Sequence, residues 1–172
     1  MSVAYFIDHV VIAAFLGLLL VAAVSDFRDF LIPNRVVGAL LLLYPAHVLA
    51  SPHPVAWQIA LIVGGVTFVA GFILFLFKGM GGGDVKLLTA VALWAGAPHF
   101  MAFTIITLVA ALVLATVLAA RIAVNGARTP EGFSFGTFVG ALRFSPILNM
   151  TVPYGVAIAA GGMYVGARLL VG

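Results

Sequence analysis

Val55-Ala-Trp-Gln-Ile-Ala-Leu-Ile-Val-Gly-Gly-Val-Thr-Phe-Val-Ala-Gly-Phe-Ile-Leu-Phe-Leu-Phe77 runs without one charged residue and stops at Lys78. A helix crossing the hydrocarbon of a bilayer needs about 20 such residues, within a range of roughly 17–25. A helix on the surface of a soluble protein would show a polar stripe, and Gln58 and Thr67 are too few to make one. The stretch therefore reads as a membrane span.

The same pattern extends outward in both directions. Apolar runs fall at about 5–24, 35–50, 84–97, 100–124 and 152–171, which with 55–77 makes six. Their interruptions are polar or helix-breaking: Ser25-Asp26-Phe27-Arg28-Asp29, Ser51-Pro52-His53-Pro54, the glycine cluster after Lys78, and Pro98-His99. Between the last two runs lies a mixed segment from Asn125 to Thr151, with the apolar piece 132–146 expected at the membrane interface or against the active site. The expected fold is all-α, a single membrane-embedded bundle of six transmembrane helices over residues 1–172.

Composition agrees. The chain is 65% hydrophobic and only 8% charged, with a mean hydropathy of +1.28, whereas soluble domains carry about 25% charged residues. Cysteine is absent, which excludes disulfides, thiolate zinc sites and cysteine nucleophiles. Eight Lys and Arg against five Asp and Glu are too few and too scattered for a nucleic-acid surface. The first run has no Lys or Arg ahead of it, so it reads as a retained helix rather than a secretory signal.

The basic residues set the expected orientation. With six alternating helices, Arg28, Arg35, Lys78, Lys86, Arg121, Arg128 and Arg143 fall on one side, and only Arg168 lies near the other. Cytoplasmic loops hold the Lys and Arg excess. Both termini are thus expected on the non-cytoplasmic side of the inner membrane.

Five acidic residues remain to be explained. Asp8, Asp29 and Glu131 read as solvated or interfacial charges. Asp26 and Asp84 each abut an apolar helix at the cytoplasmic end, where ionisable groups are costly and tend to be functional. Asp84 follows Gly79-Met80-Gly81-Gly82-Gly83, and glycine allows close backbone approach. The run lacks the spacing of a phosphate-binding loop, and an acid at the helix start would repel phosphate. Pro33 stops simple continuation of the first helix, and Asn34 is expected to cap the second. Two carboxyls meeting inside a bundle share a proton, the arrangement of aspartic proteases. No metal or other cofactor is required. His9, His47, His53 and His99 lie on or near the opposite side and are not expected to assist.

At these residues the chain resembles the prepilin peptidases, the type IV leader peptidase family. Asp26-Phe-Arg-x-x-x-Ile-Pro-Asn looks like that family's first aspartate motif. Gly81-Gly-Gly-Asp84-Val-Lys-Leu-Leu looks like the second, the GxGD motif shared with other intramembrane aspartic proteases. Val152-Pro153-Tyr154-Gly155-Val156-Ala157 is similar to a segment that often opens the last helix. The resemblance implies an aspartic endopeptidase that removes the short basic leader of type IV pilin-like precursors at the cytoplasmic face, with the prepilin and membrane lipid as partners. Larger members have an extra region with paired cysteines, and many also methylate the new amino terminus. This chain has no cysteine and resembles the minimal kind associated with Flp pili and tight adherence, so methylation is not carried over.

Asp26 and Asp84 are the expected catalytic pair, acting on one water as base and acid. Helix-end charges suggest Asp84 as the base and Asp26 as the proton carrier. Gly81, Gly83, Lys86, Arg28, Pro33 and Asn34 are the expected supporting residues. The rival reading is a secondary transporter or proton-coupled channel, in which paired membrane acids also occur.

Overall fold

The structure, a computed structural model, describes residues 3–126 and 153–171. Arg128, Glu131, Arg143 and the 132–146 piece lie outside the described residues, so nothing is assigned to them. Among the described residues every regular element is helical: α1 Val3–Asp29, α2 Asn34–Ala50, α3 Trp57–Leu76, α4 Gly82–Gly126 and α5 Tyr154–Val171. Helices α1, α3, α4 and α5 are long and apolar enough to cross a membrane, and α2 is a shorter apolar helix. The protein is a membrane protein.

The two runs expected at 84–97 and 100–124 are the two arms of α4. They meet at Gly96, whose φ of 52° and ψ of −169° lie outside the helical region. Pro98 has no N–H to give to the preceding turn and its ring crowds it. Glycine two residues earlier accepts the positive φ without steric cost. The chain therefore bends at Gly96, just ahead of the break expected at Pro98.

Other helix ends shift for similarly local reasons. α1 runs on to Asp29, so Asp26 lies in its last turn rather than beyond it. The helix is closed by Phe30, at a left-handed φ of 51°, whose N–H donates to Asp26 O at 3.0 Å. The capping position of α2 is Pro33, not Asn34 as expected. Asn34 is the first helical residue, which frees its side chain for another partner.

The core sits where the amino-terminal arm of α4 is enclosed by the other helices. Phe15 stacks on Trp94 at 4.3 Å between ring centroids, and Trp94 Nε1 donates to Leu40 O at 2.9 Å. Leu19, Leu87, Val91, Ile158 and Val165 fill the space around them. Lipid is as apolar as leucine, so helices associate in a membrane chiefly by close packing at small residues. At Gly162 of α5 an added Cβ would lie 2.6 Å from Leu19, and at Gly166 it would run into Leu16. The outer face of α3 is the reverse case: Phe72 and Phe75, with Phe77 at the helix's carboxyl cap, are exposed, as suits a lipid-facing stripe.

Candidate active site

Asp26 and Asp84 are brought together from the two halves of the chain. The last turn of α1 supplies Asp26, which is 4% exposed. The first turn of α4 supplies Asp84, which is partly buried. The two carboxyls are near enough for the charge of one to bear on the other.

The backbone around Asp84 explains part of the glycine run. Gly81 precedes the first helical residue, and its carbonyl accepts from Val85 N–H at 3.1 Å. Asp84 is then the third residue of the helix, and its carboxylate folds back toward the Gly81 amide. This is the geometry of a capping box, in which an acidic side chain satisfies an orphan helix N–H. A Cβ on Gly81 would stand 2.8 Å from Asp84 Oδ2, so any other residue here displaces the carboxylate.

Gly83 has a different task. A Cβ there would lie 3.3 Å from Ile32 Cβ, because the α1–α2 connection packs against the start of α4 at this point. Ile32 is buried among its neighbours, and Ser25 Oγ donates to Leu31 O at 2.7 Å, tying the connection back to α1. The Ile-Pro-Asn segment is thus a wedge that fixes the end of α1 against the start of α4.

A third element completes the site, and sequence reading alone assigned it no role. The amino terminus of α5 points at the acids. Val156 N–H is shared between Pro153 O at 3.2 Å and Asp26 Oδ2 at 3.3 Å. The Gly155 amide faces both Asp26 and Asp84. A Cβ on Gly155 would lie 2.8 Å from Asp26 Oδ2 and 2.9 Å from Ile32 Cδ1. The available signal was a Pro-Tyr-Gly sequence opening an apolar run, but the contact spans 130 residues and has no local signature. It also removes the basis for assigning base and acid from helix ends. Helix amino termini carry a partial positive charge, and here one of them faces each carboxylate.

The supporting residues divide. Lys86 Nζ donates to Asn34 Oδ1 at 3.0 Å, so the two aspartate-bearing segments are bridged by their own polar side chains. Pro33 is exposed at the α2 cap. Arg28 is exposed too, beside a shallow groove with Val24, Ser25 and Asp29. Among the described residues no salt bridge joins Arg28 or Lys86 to either acid.

One expectation is corrected. Asp8 is not a solvated charge: it is 4% exposed, and Oδ1 accepts from His47 Nδ1 at 2.6 Å in a buried pair. α1 and α2 lie side by side, which brings an acid near the start of one to the last turn of the other. A buried charge needs a partner, and His47 is that partner.

Comparison with known proteins covers the two aspartate-bearing segments. The model of the type IV leader peptidase family matches residues 13–120, which include both aspartates. The chain is 34% identical over 113 residues to the prepilin leader peptidase/N-methyltransferase of Bacillus subtilis, covering 63% of this chain and 45% of that protein. It is 34% identical over 102 residues to the protein of the same description from Vibrio cholerae, covering 52% of this chain and 38% of that one. The chain thus spans less than half the length of these curated relatives. No solved structure matches it.

Proposed function

The chain belongs to the type IV leader peptidase family, and from that premise we propose that it is an aspartic endopeptidase that removes the short leader of type IV pilin-like precursors, with Asp26 and Asp84 as its catalytic residues. The observation that carries this reading is the convergence of the two carboxylates on the Gly155 amide.

In the proposed reaction a water lies between the two carboxyls. One carboxylate takes a proton from the water as its oxygen adds to the scissile carbonyl carbon. The other, protonated, gives a proton to the leaving amide nitrogen as the C–N bond breaks. The pair begins and ends the cycle with one proton between two acids, as coupled carboxyls do. The Gly155 and Val156 amides hold the carboxylates in place. The Lys86–Asn34 bridge keeps the α1–α2 and α3–α4 connections at a fixed spacing.

The rest of the proposal concerns the membrane. The two arms of α4 and the shorter α2 bring the crossings to six, with both termini away from the cytoplasm and the acids at the cytoplasmic face of the inner membrane. The basic residues Arg28, Arg35, Lys78 and Lys86 beside the acid-bearing ends support that orientation. The substrate is taken to be a Flp-type prepilin, its apolar helix in the bilayer and its basic leader in the cytoplasm.

Reconstitution in proteoliposomes tests the proposal against a transporter. Purified chain mixed with a prepilin should release one leader peptide, and Asp26→Asn or Asp84→Asn should release none. Solute or proton flux without peptide release would replace this reading with a carrier.

A further inference from the structure

Along α1, Asp8 and Asp26 are separated by roughly 27 Å, at about 1.5 Å of rise per residue. The Asp8–His47 pair therefore belongs to the other end of the bundle from the proposed active site. A cavity of about 430 Å³ opens there, lined by Asp8, Tyr44, His47, Trp94, His99 and Arg168 among others. It is bounded by the start of α1, the α2–α3 turn, the bend of α4 at Gly96 and the end of α5.

Two observations point to a guest. Tyr44 is 6% exposed, and its hydroxyl has no hydrogen-bond partner among the described residues. A buried hydroxyl left alone is unfavourable and rare in native structures. Beside it, the Asp8 carboxylate is held by His47 at 2.6 Å, and the His47 ring stacks on Trp94 at 5.2 Å. Tyr44 meets the same indole edge-on at 5.7 Å. A carboxylate and a phenol oxygen lining one cavity favour an ammonium group, which donates hydrogen bonds to both oxygens.

The charge layout extends the guest. Arg168 is exposed near the end of α5 and lines the same cavity, so positive charge sits at the rim while the acid sits inside. A guest that leads with its cation and trails an anion fits that order. Metal binding is not favoured, because among the described residues no three His, Cys, Asp or Glu side chains are grouped to hold an ion.

We propose that this cavity is a second binding site, taking a phosphoamine: a primary ammonium beside Asp8 and Tyr44 and a phosphate at Arg168. An aminophospholipid headgroup at the membrane surface and a soluble phosphoamine share this chemistry. The site is independent of the proposed peptidase activity.

The test is native mass spectrometry of the delipidated full chain with phosphatidylethanolamine, with phosphatidylglycerol of the same acyl chains, and with free phosphoethanolamine. The wild-type chain should retain phosphatidylethanolamine over phosphatidylglycerol by about tenfold. Tyr44→Phe, which removes one oxygen and keeps the ring, and Asp8→Asn, which keeps a hydrogen-bond acceptor for His47, should each erase that preference. Phosphoethanolamine competing only weakly identifies the guest as lipid; phosphoethanolamine bound at least as well as the lipid identifies a soluble guest. Equal retention of both lipids with no phosphoethanolamine binding overturns the proposal, as does a preference unchanged in both variants.

Discussion

Asp26 Oδ2 accepts from the Val156 amide at 3.3 Å, so the end of the first helix is pinned by the start of the last. That contact closes the bundle around the site. The first aspartate is fixed by backbone that arrives long after it in the chain, while the second is fixed by the glycine turn just before it. Gly155 stands where the two meet.

The first prediction concerns Gly155. A methyl group there has to displace Asp26 and Ile32 together, since both lie under 3.0 Å from the added carbon. Gly155→Ala should reduce prepilin cleavage at least about tenfold, equivalent to about 1.4 kcal/mol of transition-state stabilisation. Overpacking should also cost about 1–3 kcal/mol of stability. Cleavage kinetics and denaturation of the purified variant check the two effects separately.

Ile32 is expected to be the wedge that sets the spacing of the α1–α2 connection from α4. Ile32→Ala should destabilise the chain by about 2–5 kcal/mol and Ile32→Val by about 0.5–1.5 kcal/mol. Cleavage should fall in the same order. Equal activity in both variants, measured with the chain still folded, would deny Ile32 a positioning role.

The Lys86–Asn34 bridge is exposed, so its effect should be modest. Lys86→Met should slow cleavage by about threefold to tenfold, with little loss of stability. Asn34→Asp keeps an acceptor for Lys86 and should retain near wild-type rates. Comparing kcat/KM across wild type and the two variants checks the bridge.

Asp8 is predicted to matter for folding. Asp8→Ala leaves the buried His47 without its partner, and breaking a buried pair in this way costs about 3–5 kcal/mol. Chemical denaturation in micelles measures it. A loss below about 1 kcal/mol would show that the pair is not a structural clasp.

Much of the architecture is legible in the sequence because membrane helices announce themselves locally. Trp57–Leu76 and Asn34–Ala50 fall within two residues of the runs expected from apolar length and the breaks that flank it, and the Gly96 bend follows from glycine and proline chemistry. The juxtaposition of Asp26 and Asp84 could be anticipated because each acid interrupts a pattern that otherwise avoids charge. The role of Gly155 could not, since a close approach between residues 130 apart depends on how the helices pack. Nor was the Asp8–His47 pair read from the sequence, although it carried a usable clue. An acid among apolar residues in one run and a histidine inside the next are candidates for each other, because neither is readily buried alone.

The central claim is that Asp26 and Asp84 act as one catalytic unit, and peptide release from a purified system tests it most directly. Wild type, Asp26→Asn and Asp84→Asn are each incubated with a prepilin in proteoliposomes, and the products are weighed by mass spectrometry. The account predicts a single cleavage by wild type and none by either variant, with both variants folded and inserted. Release of the same leader peptide at a substantial rate by either variant would contradict it.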